Sequence, residues 1–202
     1  MPRPSARYHR AMRIRFRSLP LLLLPCVGLS SAYAEESTSA LPSPFTAERF
    51  DCENAFDLIA LLVIARCNAY QAPPAAAQKI DAAAARLRAT GLATTAELTQ
   101  PQIAFCPLAS GTGMVPAPGQ LYLDDGLIGL STDGLAEILA HELEHLRQFE
   151  TLGTRGFKCE YVREMLACGG CQDRGHKLEA EAYQRQDQVR ATLLHADHEG
   201  AP

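Results

Sequence analysis

Residues 131–146 read as a helix that can be packed only one way round. Ser131-Thr132-Asp133 supplies capping side chains, and Leu135, Ile138, Leu139, Leu143 and Leu146 then recur at helical spacing, so one face must meet a core. The same turns carry His141-Glu142-Leu143-Glu144-His145. Side chains four residues apart lie one above the other, so His141 and His145 leave the helix on one face, at the spacing two imidazoles need to share a metal ion. Glu142 points about 100° further round and would stand beside such an ion rather than on it. Glu144, three residues before Arg147, reads as an ordinary solvated partner for that arginine.

The chain opens with an address. Arg3, Arg7, Arg10, Arg13, Arg15 and Arg17 precede a short apolar run from Leu19 to Leu29 and the small-residue sequence Ala32-Tyr33-Ala34. That order is an export signal over 1–34, and the apolar run, broken by Pro20 and Pro25, is too short to span a bilayer. Cleavage after Ala34 would leave 168 of the 202 residues, enough for one domain with an adequate core. It would also leave thirteen Lys and Arg against twenty-three Asp and Glu, a net charge of −10. Such a surface repels phosphate backbones, so nucleic acid is not an expected partner, and no second apolar run suggests stable membrane insertion. A periplasmic or secreted destination follows.

Six cysteines would remain: Cys52, Cys67, Cys106, Cys159, Cys168 and Cys171. An even set in an exported chain predicts disulfides. Cys52 and Cys67 on one continuous helix would stand about 22 Å apart, so each must bridge to another segment. Cys168-Gly169-Gly170-Cys171 is also compatible with a metal or redox pair, although it lacks a second close cysteine pair or a thioredoxin-like context.

The remaining patterns predict a mainly α fold with a small β element, an α+β single domain stapled by disulfides. A Ser/Thr/Pro-rich lead covers 35–45, the domain 46–194, and a polar tail with His195 and His198 covers 195–202. Within the domain, 46–70 is helical up to Pro73-Pro74, 75–89 is an alanine-rich helix stopped by Thr90-Gly91, and 94–100 adds a turn or two. Residues 111–119 read as a loop and Gln120-Leu121-Tyr122-Leu123 as a strand. Asp125-Gly126 marks a hairpin leading to a return strand at 127–130, or else 127–130 begins a helical turn. Gly153 and Gly156 break the metal helix, and 158–166 and 177–194 form two further helices.

Two histidines leave a catalytic zinc site one protein ligand short. The metzincin solution needs a glycine and a histidine where Gln148 and Thr151 stand, so it is excluded. A downstream glutamate is the other common solution, offered by Leu178-Glu179-Ala180-Glu181-Ala182-Tyr183. With these residues, the stretch from Gly119 to Tyr183 resembles gluzincin metallopeptidases, particularly minimal and HtpX-like ones. Their pattern is a strand, then H-E-x-x-H, then a glutamate followed three residues later by alanine. Here the pieces are Gln120 to Leu123, His141 to His145, and Glu179 with Ala182, together about a third of the chain.

The resemblance implies a zincin-like metal helix in a Zn2+-dependent peptidase acting on peptide or protein substrates. His141, His145 and Glu179 would be the ligands and Glu142 the general base, with Gln120 to Leu123 pairing with an extended substrate. Many relatives carry aspartate where Tyr183 stands, which keeps Glu181 open as the alternative ligand. His176, Tyr183, Arg174 and Tyr161 are all chemically able to stabilise an oxyanion. The competing expectation is a metal-binding scaffold of the same fold that does not cleave.

Overall fold

The computed structural model describes residues 51–108 and 110–199. The expected export signal and lead therefore lie outside the described residues. Helix α1 (Cys52–Asn68) starts where Asp51 accepts a hydrogen bond from the Asn54 amide at 3.1 Å. It turns Phe56, Ala60 and Cys67 inward and leaves Leu58, Ile59, Leu61 and Leu62 exposed. Helix α2 (Ala75–Ala89) follows Pro73-Pro74 and buries Ala83 and Leu87 completely. Its alanines give it a thin face that can approach the core closely. Helix α3 (Thr95–Thr99) is one turn held by a reciprocal capping box between Thr94 and Glu97.

Three short strands follow: β1 (Gln102–Cys106), β2 (Gly113–Ala117) and β3 (Gln120–Asp124). Their order is β1-β3-β2, with β1 parallel and β2 antiparallel to β3. Strand β2 occupies what the glycines and prolines suggested was a loop. Pro116 is tolerated because β2 is an edge strand and its register shifts between Met114 and Ala117. The hairpin expected at Asp125-Gly126 does not form. β3 already has a neighbour on each side, and the Asp124 carboxylate accepts the Gly126 amide at 2.9 Å, winding Asp125–Gly129 into a 3-10 turn. The helical alternative for this segment is the closer one.

Helix α4 (Thr132–Ala167) begins at Ser131, whose hydroxyl accepts the Gly134 amide at 3.0 Å. Leu135, Leu139 and Leu143 bury the expected stripe against Leu121 and Leu123 of β3 and Leu87 of α2 in one apolar core. The break falls at Gly153 alone, with φ 70° and ψ 162°; Gly156 stays helical. This turn brings Phe149 and Phe157 into a stack 3.9 Å between centroids, where a straight helix would separate the two positions by about 12 Å. Phe56 of α1 packs edge-on against both rings and against Tyr161. Helix α5 (Lys177–Glu199) runs back along α4. It continues beyond 194, so the first five residues assigned to a polar tail are helical.

The cysteines form three disulfides: Cys52–Cys159, Cys67–Cys106 and Cys168–Cys171. Neither α1 cysteine pairs with the other, as helix length requires. One ties α1 to the second half of α4 and the other ties it to β1. The Cys168-Gly169-Gly170-Cys171 segment is thus a disulfide-closed turn between α4 and α5, made possible by positive φ at Gly169 and Gly170. No described helix is long and apolar enough to cross a membrane.

Candidate metal centre

Helices α4 and α5 face each other, and a group of buried polar side chains lies between them. His141 and His145 leave adjacent turns of α4, and Glu179 comes from the first turn of α5. His141 Nε2 lies 3.1 Å from Glu179 Oε2, and His145 Nε2 lies 3.6 Å from Glu179 Oε1. One ligand atom from each of the three side chains lies within 4.8 Å of the others, and all three residues are buried. Two imidazole nitrogens and a carboxylate oxygen form a donor set suited to a transition-metal ion, and this group can hold one.

Glu181, the alternative ligand, is exposed and accepts a hydrogen bond from Gln148 at 3.0 Å. It is not part of the histidine cluster. Residues 179 and 181 point to different sides of α5, because two positions span about 200° of rotation.

The imidazoles are supported unequally. His145 Nδ1 pairs with Gln148 Oε1 at 2.9 Å, and Gln148 is itself fixed by its amide donating to the Leu178 carbonyl at 2.9 Å. Its Nε2 is thereby left facing Glu179. His141 Nδ1 is buried with no hydrogen-bond partner among the described residues. The Tyr183 ring stands edge-on to His141 instead, with centroids 4.6 Å apart. Tyr161 donates to Glu179 Oε1 at 2.7 Å, and buried His176 pairs through Nε2 with the Tyr161 carbonyl at 3.0 Å.

Glu142 lies within electrostatic reach of this cluster and also meets β2. Its Oε1 accepts the Gly113 amide at 3.1 Å. A Cβ at Gly113 would stand 2.6 Å from Glu142 carbon atoms, so the strand approaches this closely only because residue 113 is glycine. The amide used here is on the side of β2 away from β3, because the Thr112 carbonyl, across the same peptide, bonds the Asp124 amide. Strand β3 is closed to a substrate strand by β1 and β2, which overturns the pairing expected of Gln120 to Leu123.

The electrostatics follow from burying two carboxylates beside two imidazoles. Burial favours the neutral Glu142 acid and raises its pKa, although the nearby histidines oppose this. Burial would also raise the Glu179 carboxyl, but hydrogen bonds with His141, His145 and Tyr161 hold it well below the usual carboxylate range. Burial disfavours charge on His145, yet its bond to Glu179 and the charges of Glu142 and Glu179 push its pKa up to about 9. Desolvation and the Glu179 charge raise Tyr161 and Tyr183, keeping both phenols protonated.

Sequence reasoning missed several participants. Glu144 is buried rather than solvated: besides Arg147 at 3.1 Å it faces Arg185 at 3.5 Å. Gln148 carried a legible signal, standing three residues after His145 on one helix face. Gly113 carried none, since its role depends on where β2 is placed. No protein-family model, curated protein or solved structure matches this chain.

Proposed function

We propose that this chain is an exported zinc peptidase, with His141, His145 and Glu179 as metal ligands and Glu142 as general base. The observation that carries this reading is the convergence of two histidine nitrogens and one carboxylate, with a second carboxylate next in sequence held separately by Gly113. Zinc, when bound, supplies Lewis acidity toward a carbonyl and makes water a competent nucleophile near neutral pH. Glu142 takes a proton from water as the water oxygen bonds to the peptide carbonyl carbon. It then passes that proton to the amide nitrogen as the C–N bond breaks. Burial favours this role by making the carboxylate a stronger base. An extended peptide is placed along the outer edge of β2, the strand whose outward amide meets Glu142. The three disulfides support passage through an oxidising compartment.

A second reading, a metal-binding scaffold without hydrolysis, is favoured by burial of the three ligand residues to 6–7% exposure, which narrows access for a bulky substrate. Glu142→Gln separates the two. Under the peptidase reading it lowers peptide-library cleavage by about 10²–10⁴-fold while zinc per chain, measured by native mass spectrometry, stays at the wild-type value. A wild type that holds zinc and cleaves nothing supports the scaffold. A wild type that binds no stoichiometric zinc removes both.

A further inference from the structure

Hydrolysis through a tetrahedral oxyanion needs a hydrogen-bond donor aimed at the developing charge, and four side chains near the centre have the right chemistry. Three are committed elsewhere. The Tyr161 hydroxyl donates to Glu179 at 2.7 Å and is needed there to hold a ligand. His176 is completely buried, with Nε2 on the Tyr161 carbonyl and Nδ1 accepting the Glu179 amide at 3.4 Å. Arg174 is exposed, pairs with Asp187 at 2.7 Å, and stacks its guanidinium 4.9 Å from the centre of the Tyr183 ring.

Tyr183 differs from all three. It follows Glu179 by four residues, so both side chains rise from the same face of α5 toward α4. Its ring lies against His141, the ligand next in sequence to Glu142. It is half-buried, and its ring bridges the enclosed His141 and solvent-exposed Arg174. Its hydroxyl makes no hydrogen bond to another described residue.

We propose that the Tyr183 hydroxyl is the catalytic donor to the tetrahedral oxyanion, a role it fills at a position where a carboxylate could not. This rests on the peptidase reading. No proton leaves Tyr183 in the step: its O–H points at the oxygen that gains charge as water adds, and releases it when the carbonyl re-forms.

The test compares Tyr183→Phe, which keeps the ring against His141, with wild type and with Tyr161→Phe. Tyr183→Phe is expected to lower kcat about 10²–10³-fold with KM nearly unchanged and zinc content intact, the signature of an interaction made only in the transition state. It should weaken binding of an N-phosphoryl dipeptide, whose tetrahedral anion mimics that state, while leaving affinity for a thiol-bearing dipeptide unchanged. Tyr161→Phe should instead reduce zinc affinity, by about 10–100-fold. Wild-type cleavage with an unchanged kcat and unchanged phosphoryl-dipeptide affinity in Tyr183→Phe overturns the assignment and leaves the peptidase reading standing. A zinc-loaded wild type that cleaves no peptide removes both.

Discussion

Two buried charge clusters lie between α4 and α5, and they balance charge in opposite ways. In one, Arg185 reaches Glu97 at 2.8 Å, Glu144 at 3.5 Å and the Leu92 carbonyl at 3.0 Å. Its permanent cation meets two carboxylates and a backbone oxygen. In the other, the carboxylates of Glu142 and Glu179 are met by the imidazoles of His141 and His145, whose charge depends on taking up protons. The first cluster is complete as the chain folds. The second is a set of electron-pair donors that could take its positive charge from a bound cation, as the proposed metal centre requires.

The sharpest way to break this contrast is to remove carboxylates one at a time. Glu179→Ala should cost more than the roughly hundredfold upper range of outer-shell changes in zinc affinity, measured by competition with a chelator. Glu181→Ala should stay within that range, because it touches the centre only through Gln148. Zinc loss confined to Glu181→Ala would reverse the ligand assignment. Next in size, Arg185→Met strands Glu144 and Glu97 without their cation and should destabilise the fold by about 3–5 kcal/mol in denaturant titration. Zinc stoichiometry should not change. If the metal is lost with Arg185 in a still-folded protein, the two clusters are not independent.

The smallest effect is in pH. The folded pKa of His145, about 9, lies above its ordinary 6.5, so its contribution to stability is complete below pH 6.5 and disappears as pH rises through 9. Glu142, raised by burial, acts in the same direction above its ordinary 4.5. Chelator-treated protein should therefore lose several degrees of Tm between pH 6.5 and 9. Zinc-loaded protein should not, since the ion takes the proton's place. Parallel pH curves for the two forms would show that the His145 proton and the metal do not compete.

The parts of this site legible in the sequence are those set by local geometry. His141 and His145 share a face because they are four residues apart, whereas Glu179 rather than Glu181 was implied only by the gluzincin resemblance, through its spacing to Ala182. Ser131 caps the metal helix for local reasons, and α2 has the bounds its composition indicates. What was not legible depends on distant segments meeting. Glu144 looks like a surface residue until Arg185 arrives from forty-one positions away. Strand β2 is dense in glycine and proline and becomes a strand by pairing with β3. The buried face of Glu142 could not be assigned before Gly113 was placed beneath it.

Helix α1 shows a different consequence of long-range linkage. Its two ends are bonded to partners 107 and 39 residues away, so the oxidised chain cannot release it even when every non-covalent contact is lost. Heated protein keeps its leucine-bearing rod leashed at both ends, and refolding starts from a chain whose most distant neighbours are already introduced. Treatment with a dithiol cuts those leashes and frees the stickiest segment to seek other company.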